Sequence, residues 1–152
     1  MRRDDKEITD RGEIEKIIRA SQVCRLAMAD GCKPYVVPLN FGYTGENLYF
    51  HSASEGWKLN ILGRNDRVCF LFDIDHQLVR GEQACDWGMR YRSVIGFGKA
   101  ALVEDGDEKL LALAAIMEQY GEGECTFPDK VLAGTTVFKV NIEGMTGKQS
   151  GY

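Results

Sequence analysis

A histidine, two serines and a lysine stand close together in the run His51-Ser52-Ala53-Ser54-Glu55-Gly56-Trp57-Lys58. A neutral imidazole at the end of an apolar strand can donate a hydrogen bond to a ring or pass a proton near neutral pH. It can equally be a structural histidine satisfied by its neighbours, since no paired nucleophile or acid accompanies it in the sequence. Ser52-Ala53-Ser54-Glu55 spells a capping box, so the spacing predicts a helix start here. Free amides at such a start, the hydroxyls of Ser52 and Ser54, and the Lys58 ammonium one turn inside would also make a phosphate site.

Upstream, Pro38 interrupts a β-branched and aromatic run from Tyr35 to Tyr43. Proline removes a ladder donor, which places this strand at an edge or rim. The main-chain groups of Val37, Leu39 and Asn40 are then left to pair with the alternating donors and acceptors on the edge of a flat heterocycle; the plainer reading is an edge strand guarded against aggregation by its proline. Farther on, Arg90-Tyr91-Arg92-Ser93 heads a long strand, where two arginines flanking a tyrosine either reach an anion or form a solvated strand end. Asp73-Ile74-Asp75-His76, with Cys85 downstream, matches no zinc or calcium ligand spacing, so no metal site is expected.

The elements that must position these residues follow from periodicity. Asp10 and Glu13 make a capping box, after which Ile14, Ile17 and Ile18 recur at helical spacing up to Ser21. Val23 to Ala29 and Tyr35 to Tyr43 read as strands joined at Asp30-Gly31, and Leu48 to Phe50 follows the Thr44-Gly45-Glu46-Asn47 turn, predicting a three-stranded meander. A helix is expected over residues 55–62, then a strand from Arg67 to Ile74. Residues 76–88 lack periodicity and read as a loop, a lid or partner-facing segment. Met89 to Val103 is a long strand that Gly96 and Gly98 should bend. A helix from Asp107 to Gly121 shows Leu110, Leu113, Ala114, Met117 and Tyr120 on one face, and a last strand, Thr135 to Ile142, precedes a polar tail. The order lacks strict strand–helix–strand alternation, which favours an antiparallel barrel with helices at its margin over a doubly wound sheet.

Bulk properties narrow the function classes. The chain has 152 residues, 44% of them hydrophobic, enough for one domain with a core of its own. A net charge of −4 offers no footprint for nucleic acid or an anionic membrane, so neither is an expected partner. The charged start Met1-Arg2-Arg3-Asp4-Asp5-Lys6 lacks the apolar run of a signal peptide, and a cytoplasmic protein is expected. Five cysteines, an odd number without close pairs, read as reduced thiols.

These residues together carry a family resemblance. Val23-Cys24-Arg25-Leu26-Ala27, the run from Lys33 to Tyr43, Leu48-Tyr49-Phe50-His51-Ser52-Ala53, the run from Tyr91 to Ala100 and Thr146-Gly147-Lys148 resemble, in order, the pyridoxamine phosphate oxidase-like flavin-binding split-barrel superfamily. Within it the chain is similar to the nitroimidazole-resistance (Nim-type) nitroreductases. The resemblance implies a homodimer with FMN, or alternatively FAD, in a groove between protomers. It puts the ring edge against Val37, Pro38, Leu39 and Asn40, and the phosphate near His51, Ser52, Ala53 and Lys58. It brings Arg92 and Ser93 to the flavin from the dimer interface, adds Lys148 from the Thr146-Gly147-Lys148 motif, and makes His51 the residue to suspect in catalysis.

Departures from the pattern sharpen this expectation. Many relatives have a basic residue where Trp57 stands, which throws more weight on Lys58. Met145 occupies the region where pyridoxamine phosphate oxidases carry a tryptophan, and the tail lacks their substrate arginine and histidine, so that oxidation is not expected. The implied activity is instead an oxidoreductase, with NAD(P)H as transient donor, because no Gly-x-Gly-x-x-Gly opens a helix, and a nitroaromatic or similar acceptor. The rival is a non-catalytic split barrel that holds flavin or haem, for which His51 and His76 are the imidazoles available.

Overall fold

Antiparallel pairing governs the architecture. The computed structural model describes residues 4–121 and 125–152. Its strands are β1 (Glu7–Ile8), β2 (Cys24–Asp30), β3 (Lys33–Leu39), β4 (Gly42–Tyr43), β5 (Asn47–Ser52), β6 (Arg67–Val79), β7 (Gly88–Leu102) and β8 (Thr136–Ser150). The helices are α1 (Arg11–Ala20), α2 (Trp57–Leu62), α3 (Gly106–Gln119) and α4 (Asp129–Gly134). The sheet runs β3-β2-β6-β7-β8-β5-β4, with β1 added to β8. Its two end strands, β3 and β4, are joined by only Asn40 and Phe41, so the chain itself steps across the opening of a curled sheet. This is a split barrel, open at that seam.

The inward faces of the strands fill the barrel with Phe41, Phe50, Phe70, Phe72 and Phe138, all fully buried. Phe41 packs on Phe72 with ring centroids 4.8 Å apart, and Phe50 stacks on Phe138 at 5.0 Å. Burial of each ring stabilises the fold by about 1.5–3 kcal/mol. Gly96 is required by this packing, because a Cβ there would run into the Phe70 ring. Beside it the β7–β8 register shifts between Phe97 and Gly98, the bend expected from the paired glycines.

Helix α1 forms as its sequence dictates: Asp10 accepts from the Glu13 amide at 2.8 Å, and Ile14, Ile17 and Ile18 are buried. Helix α3 starts after Asp105, which accepts from the Glu108 amide at 2.8 Å. Its buried face is Ala112, Leu113 and Ile116, while Leu110 and Ala114 are exposed, contrary to the periodicity reading. The rotation follows from the docking partner, for α3 sits so close over Gly42 that a Cβ there would overlap the Ala115–Ile116 backbone.

Four further expectations are corrected. The Leu48 to Phe50 segment does not extend a meander beside β3; β5 pairs with β4 and β8 at the other end of the sheet. The Tyr35 to Tyr43 run is not one strand, because burial of Phe41 turns the chain across the seam. Residues 76–88 are a loop only in their middle: β6 runs on to Val79 and β7 begins at Gly88, leaving a loop over residues 80–87 with a short 3-10 turn at Ala84–Asp86. The polar tail is strand as well, since β8 runs to Ser150 and pairs with β7 throughout. Strand β1 and helix α4 had no expectation attached to them.

Candidate functional site

The seam of the barrel gathers one group of the expected residues. Strand β3 pairs with β2 alone, so its other edge carries main-chain groups without a partner strand, as its proline implied. Val37 and Leu39 turn into the core, while Pro38 and Asn40 are exposed along that edge. Trp57 ties α2 to the same region. Its ring lies 4.6 Å from that of Tyr35, its indole nitrogen donates to Asp30 at 3.3 Å, and the Lys33 ammonium sits 4.5 Å above it. Trp57 thus works as a clasp between α2 and the β2–β3 hairpin.

The capping box expected at residues 52–55 does not form. Strand β5 continues through Ser52, which pairs with Thr136, and α2 begins at Trp57 behind Gly56, whose φ of 145° only glycine adopts readily. No side chain caps this helix. The phosphate-binding candidates are therefore side chains rather than a helix end. Alternation along β5 turns Ser52 to the Phe50 and Thr136 side and His51 to the Tyr49 and Val137 side. Ala53 is exposed just beyond the strand.

Lys58 joins Ser52 on the inner side. It is half-buried, with its ammonium 5.5 Å from the Phe138 ring. No ion pair or hydrogen bond takes that ammonium among the described residues, and desolvation alone lowers its pKa. A cavity of ≈ 510 Å³ opens nearby, lined by Ser54, Leu59, Leu102, Glu104, Thr136 and Phe138 among others. Phe138 is shared by the cavity wall and the Lys58 contact, while the charged residue in the lining itself is Glu104. The sequence reading passed over Thr136, Phe138 and Leu102, which reach this place from strands far away in the chain; register alone reveals them.

A second group lies elsewhere. Ser93 and Lys148 face each other across β7 and β8, and with Ile95 and Thr146 they line a depression of ≈ 320 Å³. Ser93 is 7% exposed, and the Lys148 ammonium is 5.5 Å from the Tyr91 ring. Arg92 is not part of this depression. Alternation sends it to the opposite side, where it pairs with Asp75 at 3.0 Å and lies 4.5 Å from the Tyr152 ring. His76 is engaged too, its Nε2 being 2.8 Å from Asp73. Among the described residues no cluster of His, Cys, Asp and Glu is placed to hold a metal ion.

The two groups occupy opposite ends of β8. His51 pairs with Val137 and Ser93 with Lys148. At ~3.3 Å per residue the contour of the intervening strand is roughly 35 Å. Between them the outer sheet face is unusually apolar. One row across the strands reads Val36, Ala27, Cys69, Phe97 and the next Pro38, Arg25, Leu71, Ile95, by direct register. Val36 and Phe97 are 58% and 59% exposed, whereas the outer face of an antiparallel sheet is ordinarily polar.

Comparison with known proteins agrees with this geometry. The family model for pyridoxamine 5'-phosphate oxidase matches residues 10–149. A solved structure of a putative 5-nitroimidazole antibiotic resistance protein from Bacteroides thetaiotaomicron is 40% identical, with a TM-score of 0.85 over 94% of this chain and 86% of that one. An FAD-binding protein from Mesorhizobium loti is 26% identical, with a TM-score of 0.67 over 93% and 96% of the two chains. The FAD and heme binding protein from Mycobacterium smegmatis shares the fold, with a TM-score of 0.87 at 21% identity over 97% of this chain and 74% of that one. Among curated protein sequences none matches. With an open antiparallel barrel, a free β3 edge and a family match over nearly its whole length, the chain belongs to the pyridoxamine 5'-phosphate oxidase family and has its flavin-binding split-barrel fold.

Proposed function

We propose that this protein is a homodimeric FMN-dependent oxidoreductase of the nitroreductase kind, with the cofactor held in the seam between two copies. One observation carries the reading: the two polar groups sit at opposite ends of β8, and exposed apolar side chains suited to a second copy lie on the outer sheet face between them. A two-fold axis through that face would bring the Ser93–Lys148 depression of one copy towards the Ser52–Lys58 end of the other.

In this arrangement Lys58 and Ser52 neutralise the phosphate, and burial of Lys58 strengthens the attraction. The free edge of Val37 to Asn40 supplies main-chain groups for the polar rim of the ring. Ser93 and Lys148 approach from the other copy. Arg92, already committed to Asp75 and Tyr152, braces the strand behind Ser93 and makes no contact of its own with the cofactor. His51 is exposed and on the opposite side of the β5 end from Ser52, free to orient or protonate an acceptor. FMN supplies the reversible electron chemistry when bound; the chain supplies placement, polarity and exclusion of water. NAD(P)H donates and a nitroaromatic or similar compound accepts, the likeness to the Bacteroides protein supporting that class.

Mass spectrometry and the absorption spectrum of whatever co-purifies test the cofactor, separating FMN from FAD and both from haem. Bleaching by NAD(P)H and reoxidation by a nitroaromatic test the activity. A bound flavin that never turns over makes the protein a binding module, and colourless monomeric material that ignores added FMN ends the proposal.

A further inference from the structure

The inner face of β7 loses its cover towards the end of the strand. Val94, Gly96 and Gly98 lie on that face and are buried, Ala100 is half-buried, and Leu102 is 58% exposed. Leu102 nevertheless belongs to the inside of the barrel. It stands directly across the ladder from Phe138, which is fully buried in the main core, just as Ala100 stands across from Val140, and residues directly opposite share a face of the sheet. Leu102 is part of neither hydrophobic cluster. A wet side chain on the outside of a sheet is ordinary, but an inward leucine left in water marks an open barrel mouth.

That mouth is the cavity of ≈ 510 Å³ between α2 and the β7–β8 ladder. Leu59 and Leu62 line it from α2, Ala100 and Leu102 from β7, and Phe138 joins it to the core. Pockets of about 300–1,000 Å³ with apolar walls and a few polar groups take small organic molecules, and barrel mouths are among their usual places. The polar groups here are Ser54, Thr136 and Glu104, and among the described residues no hydrogen bond or ion pair engages their side chains. Val37 to Asn40, Ser52, Lys58, Ser93 and Lys148, which the flavin reading uses, do not line it. Lys58 approaches the Phe138 ring without entering the lining, so the exposed Glu104 carboxylate sets the sign of the charge that a ligand meets there.

We propose that the barrel mouth is a second ligand site, separate from the flavin seam, for a small amphiphilic amine. Its hydrocarbon body packs on Leu59, Leu62, Leu102 and Phe138, and its ammonium pairs with Glu104 and donates to the Ser54 or Thr136 hydroxyl. The site needs no flavin to form. Methyl-resolved NMR of the full chain, with and without saturating FMN, tests it with phenethylamine, the neutral phenethyl alcohol and the anion hydrocinnamate.

The amine should shift the Leu59, Leu62 and Leu102 methyl signals saturably, bind about tenfold tighter than the anion, and keep its affinity when FMN is added. Glu104→Gln should weaken the amine about fivefold, the upper range for an exposed ion pair, and leave the alcohol unchanged. Leu102→Ser should weaken both. Each of these positions is exposed, so neither change disturbs the core. Absence of saturable shifts at these methyls, an anion that binds as tightly as the amine, or indifference to Glu104→Gln overturns the amine site. Displacement of the amine by FMN overturns its separateness and returns the cavity to the flavin.

Discussion

The two ends of β8 hold their lysines differently. Lys58 is half-buried over an aromatic ring with desolvation unopposed, whereas Lys148 sits at the rim of an open depression beside Ser93 and Tyr91. A cation left without a counter-charge in apolar surroundings is costly, and a ligand anion removes that cost. Under the proposed function, this contrast favours phosphate binding at the first end and lateral support of the ring at the second.

Several changes would break or sharpen this comparison. Phe97→Glu buries an unpaired charge if the outer faces pair, a cost of about 3–5 kcal/mol. It should leave a folded monomer with flavin affinity lowered more than a hundredfold; a monomer that binds FMN as tightly as the parent would show that one end suffices. His51→Ala should reduce nitroaromatic turnover by about 100-fold, the low end for a lost general acid, with flavin still bound. Unchanged turnover removes His51 from the chemistry.

Lys58→Ala should weaken FMN by about 10–100-fold, the worth of a charge-assisted hydrogen bond of roughly 1.5–3 kcal/mol, and leave riboflavin untouched. Equal losses for the two ligands would refute the phosphate contact. Lys148→Ala should cost only a few-fold, alike for FMN and riboflavin. Mixing the two variants tests whether the ends come from different copies: about one site in four should regain parental affinity, because each heterodimer assembles one intact seam. No recovery after subunit exchange would place both lysines on the same side of the site.

The smallest effect concerns pH. Burial lowers the Lys58 pKa from the ordinary 10.5, so between the folded and unfolded values the unfolded chain binds more protons. Stability of the flavin-free protein should therefore rise with pH across that window relative to Lys58→Met, and bound FMN should abolish the difference. A flat difference curve in flavin-free protein would mean that solvent reaches the ammonium freely.

Several of these features could be read from local sequence. The Asp10 cap and the Ile14, Ile17, Ile18 face of α1 obey rules that act within one turn. Pro38 marked β3 as an edge because a missing donor is a property of one residue. Gly96 and Gly98 announced a bend because only glycine admits the Phe70 ring and the Asn141 backbone so closely. The Ser52–Glu55 cap failed for a complementary reason: pairing of Ser52 with Thr136 outweighed a local hydrogen-bond pattern. Residues 76–79 read as part of the loop that follows them because this end of the β6–β7 ribbon has no buried face to impose alternation.

Chain order and residue type thus determined an antiparallel barrel, its edge strand and its first helix, and named the candidates for a phosphate and a planar ring. Tertiary structure decided which of those residues meet. Strand register put Thr136 beside Ser52 and Phe138 within reach of Lys58, set Ser93 across from Lys148 and turned Arg92 away to Asp75. Periodicity specifies which side of its own strand a residue occupies, but the neighbour across the ladder comes from pairing distant segments, and that choice is made by the shared core.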